Sequence, residues 1–330
     1  MQNKEIAVVT GANGFVGSHL VDLLLEKGYE VRCITRKSSN LKWLEGKDVE
    51  IHDCGLFHKE GLNKALKDSN YIFHVAGVVK SKTPEGYFNG NVETTRNLLD
   101  VSLNYSDSIK RFVVVSSQTV TGPSLDGKPV TEETECRPIT TYGKSKLEEE
   151  KVALTYADKL PITICRAPAV YGERDTEILI YFKTFSKGLT TTIGFNKKVL
   201  SLIHVTDLVN GIYMSSKSEK AAGQTYFISS EKYYTWPEIN SITAKVIGKK
   251  AIIIKVPHFL VYTISAFAQF FAIFSKSAAT LNLEKAKDIT QQYWICDTSK
   301  AIRDFGYKQN ISAEDGIRRT IEWYKKMKWI

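Results

Sequence analysis

Ile6-Ala7-Val8-Val9-Thr10-Gly11-Ala12-Asn13-Gly14-Phe15-Val16-Gly17 decides the fold of this chain. A short apolar run suited to a buried strand passes straight into three glycines spaced three apart, and helical periodicity takes over across Gly14–Lys27. Glycines in such a turn permit a tight bend, let backbone N–H groups approach a pyrophosphate, and bring the helix close to the strand. The helix N-terminus adds partial positive charge facing the phosphates. The stretch predicts a dinucleotide-binding βα turn in which Gly11, Asn13, Gly14, Phe15, Val16 and Gly17 meet the cofactor.

Outward from this turn, strand and helix patterns alternate. Strands are predicted at Ile6–Val9, Val31–Ile34, Val49–Ile51, Tyr71–Val75, Phe112–Val115 and Ile162–Cys165. Helices are predicted at Gly14–Lys27, Glu60–Lys67, Val92–Leu103 and Tyr142–Ala157. Such alternation implies an α/β fold with a doubly wound, Rossmann-like parallel sheet, whose ligands bind beyond the C-terminal strand ends. The alternation stops near residue 172. Residues 1–171 are therefore read as the dinucleotide-binding domain, and 172–330 as a smaller, interleaved and mainly substrate-binding region. Ser201–Val209 and Thr225–Ser229 read as strands, so segments near 201–210 and 225–229 are expected to return to the first domain. An amphipathic helix, Ala313–Met327, closes the chain.

The second predicted strand ends in Thr35-Arg36-Lys37, with Lys42 further on, where an NAD-binding turn usually places an acid for the ribose hydroxyl. Arg36 could hold a 2′-phosphate with two hydrogen bonds. NADP(H) is therefore preferred as cofactor, with NAD(H) as the alternative. Lys37 and Lys42 are assigned to the same site.

Phe112–Val115 runs into Ser116 and Ser117, hydroxyls at a strand end. Tyr142 follows 25 residues after Ser117, and Lys146 stands one helical turn beyond it on the same face. An ammonium beside a phenol lowers its pKa from about 10. In this reading Ser117 anchors a substrate oxygen, Tyr142 gives or takes its proton, and Lys146 holds the nicotinamide ribose and tunes the phenol. Asn91 would tie a water or backbone group into the proton path. Singly, these residues read as an ST-turn, a surface pair and a helix cap; their joint order behind the glycine turn argues for chemistry.

The bulk properties narrow the class. With 330 residues, 43% of them hydrophobic, the chain can bury one large core or two smaller ones. Cys33, Cys54, Cys136, Cys165 and Cys296 show no paired spacing, which points to reduced thiols, a cytoplasmic setting and no metal site. No secretion signal precedes Ile6. The net charge of +9 is spread along the chain, without the clustered Lys/Arg and aromatics that nucleic-acid binding requires. Phe259–Phe274 carries no charge over sixteen residues, fewer than the roughly 20 needed to span a bilayer. The favoured reading is a helix buried in the substrate-side region. The alternative is a helix that lines an apolar pocket or makes peripheral contact with a membrane.

These residues together resemble the extended short-chain dehydrogenase/reductase family, also called the NAD-dependent epimerase/dehydratase family, from about Ile6 to Ile330. The glycine turn, His74-Val75-Ala76-Gly77, Asn91, Ser117, Tyr142 and Lys146 carry the likeness. So do Arg166-Ala167-Pro168-Ala169-Val170-Tyr171-Gly172 and Leu202-Ile203-His204-Val205-Thr206-Asp207-Leu208. The resemblance implies that Ala76 and Gly77 line the cofactor and that the backbone of Pro168, Ala169 and Val170 meets its carboxamide. It also implies a homodimer through the helices that carry Asn91 and Tyr142, provided their outer faces are apolar.

Three departures narrow the activity. Gly55 stands where the family usually has an Asp for the adenine. Gln118 and Thr119 replace the Asp-Glu pair of sugar-nucleotide dehydratases, and Ala169 replaces an Asn common in nucleotide-sugar members. The chain leans to the dihydroflavonol-reductase-like and 3β-hydroxysteroid-dehydrogenase-like branches. The expected function is an NAD(P)(H)-dependent oxidoreductase that interconverts a carbonyl and an alcohol on a small apolar molecule. The alternative is a nucleotide-sugar epimerase or reductase with tightly bound NAD(H). A nucleotide-sensing binding protein would have no need of Ser117, Tyr142 and Lys146 together.

Overall fold

The computed structural model describes residues 4–274, 279 and 281–330. Its strands are β1 (Ile6–Thr10), β2 (Glu30–Ile34), β3 (Val49–His52), β4 (Tyr71–His74), β5 (Arg111–Ser117), β6 (Ile162–Ala167), β7 (Ala169–Tyr171), β8 (Leu189–Ile193), β9 (Val199–His204), β10 (Gln224–Phe227), β11 (Tyr233–Thr235), β12 (Ile252–Val256) and β13 (Tyr293–Trp294). Its helices are α1 (Phe15–Glu26), α2 (Lys59–Leu66), α3 (Pro84–Phe88), α4 (Thr94–Ser102), α5 (Thr141–Leu154), α6 (Leu179–Ser186), α7 (Val205–Lys217), α8 (Trp236–Ile247), α9 (His258–Ala272), α10 (Leu283–Thr290), α11 (Ser299–Phe305) and α12 (Ala313–Lys326).

Seven parallel strands form one sheet in the order β3-β2-β1-β4-β5-β6-β10. Alternate residues face opposite layers, because strand side chains have a period of two. Ala7 and Val9 pack with Leu20, Val21 and Leu24 of α1 and Leu208 and Ile212 of α7. Val8 packs the other way, with Leu62 and Leu66 of α2, Leu98 of α4 and Val152 of α5. Each such buried Val, Leu or Ile side chain contributes about 1.5–3 kcal/mol. Strand order reverses between β1 and β4, which opens a crevice at their C-terminal ends.

The later half builds two smaller sheets. In one, β9 pairs with β7, β11 and β13; in the other, β8 pairs with β12. A third core of Tyr171, Phe182, Leu202, Ile317 and Tyr324 joins α6, α12 and these strands. β10 extends the main sheet beside β6.

Three expectations change. The strand expected over Ser201–Val209 ends at His204, whose ring accepts from the Thr206 N–H at 3.3 Å and caps α7. Val205, Leu208, Val209 and Ile212 then follow helical spacing into the main core, and β9 lies outside the seven-stranded sheet. The helix expected over Val92–Leu103 opens with a π-turn, Asn89–Glu93, before α4. The apolar segment 259–274 is not buried: Val261 and Ser265 are the buried positions of α9, while Phe259, Phe267 and Phe271 are more than half exposed.

The outer faces of the Asn91 and Tyr142 helices carry Glu93, Arg96, Glu148 and Lys151 in charge pairs. The apolar condition set for the family's dimer is therefore not met.

Candidate active site

Gly11 holds φ +65°, and a Cβ there would stand 2.8 Å from the Ala76 backbone. Only glycine allows both the left-handed turn and this approach. A Cβ on Gly17 would lie 2.1 Å from the Gly11 carbonyl, so α1 touches its own turn. Gly14 caps α1 without a side chain, which leaves the first amides of the helix for an outside acceptor. Phe15 and Val16 turn their side chains into the core, so a ligand at the helix end meets their backbone. This cradle fits a pyrophosphate. Asn13 donates to the Asn40 carbonyl at 3.4 Å and ties the loop after β2 to the turn.

Arg36 and Lys37 are exposed at the end of β2. A Cβ on Gly55 would sit 3.7 Å from the Arg36 side-chain stem, so Arg36 lies along Gly55. Lys42 is engaged elsewhere: its ammonium stands 4.2 Å from the centre of the Trp43 ring and 5.3 Å from that of Trp329. The structure thus keeps Arg36 and Lys37 together and directs Lys42 to aromatic faces.

A buried hydrogen-bond chain fixes the crevice wall. The Val75 and Ala76 N–H groups donate to Thr10 Oγ1 at 3.2 and 3.1 Å. Thr10 Oγ1 lies 2.8 Å from His74 Nδ1, and His74 Nε2 lies 2.8 Å from Thr95 Oγ1. Thr95 in turn donates to the Asn91 carbonyl at 2.6 Å. Since Thr95 spends its proton there, His74 must donate from Nε2 and accept at Nδ1. Burial and then the charge of Lys146 hold this imidazole neutral, with its pKa pushed down to about 3. The chain positions Ala76 and Gly77 at the rim.

The Asn91 side chain is fully committed. Its oxygen accepts from the Val78 N–H at 2.6 Å, and its amide donates to the Val78 carbonyl at 3.2 Å and to Ser145 Oγ at 2.9 Å. It clamps the loop after β4 onto α5 and hydrogen-bonds neither Tyr142 nor Lys146.

α5 starts from a Thr140 cap, which accepts the Gly143 N–H at 3.1 Å. Its first turn presents the Tyr142 phenol to the Ser117 hydroxyl. Thr119 donates to Ser117 Oγ from both its N–H and its hydroxyl, at 3.2 and 3.0 Å. Lys146 donates to the Val115 carbonyl at 2.9 Å and forms an ion pair with Glu149, both side chains being buried. Burial pushes the Tyr142 phenol up, and Glu149 acts in the same direction against Lys146 and Ser117. The expected lowering of the phenol is therefore corrected: Lys146 shares its charge with a carboxylate that opposes ionisation of Tyr142. Burial pulls the Lys146 ammonium down, but the neighbouring Glu149 and Tyr142 outweigh it and raise its pKa. Pro168 and Val170 are half-buried and Ala169 exposed, on the link from β6 to β7.

Three features lay outside the motif reading. Glu149 hides in the run Glu148-Glu149-Glu150, which looks like a solvated face; counting from Tyr142, Lys146, Glu149 and Glu150 fall at i+4, i+7 and i+8, on one side. The Thr10–His74–Thr95 chain joins residues far apart in sequence. Glu284 of α10 accepts from the Thr141 N–H and hydroxyl at 2.8 and 2.6 Å, beside Tyr142, with no local signal.

A parallel sheet with a phosphate cradle at its switch point, and a Ser, Tyr and Lys at the next strand end, define a nicotinamide-dinucleotide-linked enzyme. The chain belongs to the NAD dependent epimerase/dehydratase family, whose model matches residues 7–229, and is an oxidoreductase-class enzyme of that family. It is 26% identical to ceramide reductase of Caulobacter vibrioides over 327 residues, covering 99% of this chain and 96% of that protein. It is 25% identical to the 3-beta-hydroxysteroid dehydrogenase of Mycolicibacterium neoaurum, covering 96% and 90%. Its fold matches UDP-glucuronic acid 4-epimerase from Bacillus cereus, solved with NAD, at TM-score 0.80 and 22% identity over 98% and 99% of the two chains.

Proposed function

We propose that this enzyme is an NADP(H)-preferring oxidoreductase that interconverts a ketone or aldehyde and the corresponding alcohol on a small apolar molecule. The observation that carries this reading is the Tyr142 phenol facing the Ser117 hydroxyl at the end of β5, with Lys146 one helical turn on, its ammonium donating to the Val115 carbonyl of the same strand. A nicotinamide dinucleotide bound along the crevice supplies or accepts the hydride. Ser117 holds the substrate oxygen, Tyr142 moves its proton, and Lys146 sets the charge around them while reaching for the ribose. The region from residue 172 builds the substrate side.

A phenol kept protonated by burial suits proton donation, the step that carbonyl reduction needs. Gln118 and Thr119 offer no acid or base for water loss. Arg36 along Gly55 supports a 2′-phosphate. Two of the relatives that match along nearly the whole chain carry the names of a ceramide and a hydroxysteroid, both lipids, which supports an apolar substrate and a membrane contact through 259–274.

The test is NADPH consumption with a panel of long-chain and polycyclic ketones and aldehydes, wild type against Tyr142→Phe. The variant is expected to lose roughly 100-fold or more in turnover while NADPH affinity stays near normal. A variant that keeps most of its rate would remove Tyr142 from the chemistry. Co-purifying NAD(H), with a rise in melting temperature on adding a UDP-sugar, would favour the epimerase instead.

A further inference from the structure

We propose that β12, α9 and the adjoining Phe195 form a docking surface for an anionic lipid bilayer. Ile252, Phe195, Phe259, Phe267, Phe271 and Phe274 are each between 62% and 78% exposed. They make one neighbourhood, because α9 follows β12, and the Gly194–Asn196 tip meets Pro257–Phe259 at the base of the helix. Monomeric proteins rarely leave apolar patches of this kind uncovered.

Charge identifies the occupant. Residues 178–206 and 239–283 contain no Asp or Glu. These two segments lie side by side, because β8 and β12 pair in register from Ile252 with Leu189 to Val256 with Ile193. Lys183, Lys187, Lys197, Lys249, Lys250 and Lys255 are exposed on them, and none pairs with a carboxylate among the described residues. Aromatic and aliphatic side chains ringed by unopposed lysines match the interface of an anionic membrane, where each lysine contributes about 1 kcal/mol. A second copy of this chain would place lysines against lysines. At about 1.5 Å per residue, α9 spans roughly 22 Å, short of the roughly 30 Å hydrocarbon core. Among the described residues no helix is long and apolar enough to cross a membrane. The helix therefore lies on the surface.

The surface adjoins the site. Gln269 of α9 accepts from the Leu283 N–H of α10 at 3.1 Å, and Glu284 of α10 holds Thr141, the residue before Tyr142. Delivery of an apolar substrate from the bilayer to Tyr142 rests on the function proposed above; the docking itself does not.

The full-length protein would be sedimented with vesicles of pure phosphatidylcholine and of phosphatidylcholine containing about one-third phosphatidylglycerol. Binding to the second, weakened by salt, is expected. Replacing Lys249, Lys250 and Lys255 by Glu should reduce it on the order of 100-fold, and Phe267→Ser with Phe271→Ser should reduce it without lowering the melting temperature. Equal binding to both vesicles, or none to either, overturns the proposal. So does a dimer in sedimentation equilibrium that the Phe→Ser changes dissociate. Tyr142→Phe should bind vesicles like wild type, so failure of the docking surface and failure of the proposed activity are separately visible.

Discussion

Lys146 and Glu149, three residues apart on α5, form an ion pair inside the protein, with Tyr142 one turn earlier on the same face. A buried carboxylate next to the lysine changes what that lysine does. Its charge is neutralised locally, and the negative field favours phenol over phenolate. Burial pushes the Glu149 carboxyl itself up, against Lys146.

Glu149→Gln tests this directly. Without the carboxylate, Tyr142 faces Lys146 alone, phenolate gains, and the phenol pKa falls. Alcohol oxidation needs the phenolate, so its rate rises with pH through that pKa. The rising limb should move to lower pH, because the negative charge that opposes the phenolate is gone. The pH profile of the oxidation rate under saturating cofactor is the measurement. An unmoved limb would mean that Glu149 serves packing only.

Arg36 sets a second expectation. Its stem lies along Gly55, beyond the end of β2. Arg36→Glu should raise the KM for NADPH by roughly 10- to 100-fold, the worth of charge-assisted hydrogen bonds, and leave that for NADH unchanged or lower. Steady-state kinetics with both cofactors decides it. Equal effects on the two would place Arg36 outside the 2′-phosphate site.

The contrast between these residues shows what a sequence carries. Gly11 and Gly17 are legible because steric exclusion leaves no other residue for that geometry. Tyr142 and Lys146 are legible because a helix brings positions four apart together. Glu149 is not, since a run of three glutamates reads as a solvated face and gives no sign that two of them, Glu149 and Glu150, are buried until the packing of α5 on the sheet is known. His74 finds Thr10 and Thr95 through strand pairing and helix docking, which local periodicity does not encode. The 259–274 segment misleads for a related reason: apolar composition states that a surface avoids water, not what covers it.

Gly17→Ala probes the close approach of α1 to its turn. The added methyl would stand 2.1 Å from the Gly11 carbonyl, so helix and turn must separate. Overpacking of this kind costs about 1–3 kcal/mol, and the displaced amides no longer converge on a phosphate. The melting temperature without cofactor should fall, and the rise produced by NADPH should shrink. An unchanged melt and an unchanged NADPH effect would contradict the contact.

Glu150, beside Glu149, has a different partner and a different consequence. Arg166 of β6 donates from Nε to Oε1 at 3.0 Å and from Nη2 to Oε2 at 2.7 Å, with both side chains nearly buried and the guanidinium 5.5 Å from the Phe227 ring centre. The fork ties α5 to the strand that leads into Pro168–Val170. Glu150→Ala would strand the guanidinium, and losing one partner of a buried pair costs about 3–5 kcal/mol. Replacing both residues, Glu150→Leu with Arg166→Met, removes the charge together with its partner and should recover most of that loss. Denaturant melts of Glu150→Leu, Arg166→Met and the double variant complete the cycle. Additive losses would show that the two residues do not act as a pair; recovery in the double variant would show that the fork locks α5 in place without itself adding net stability.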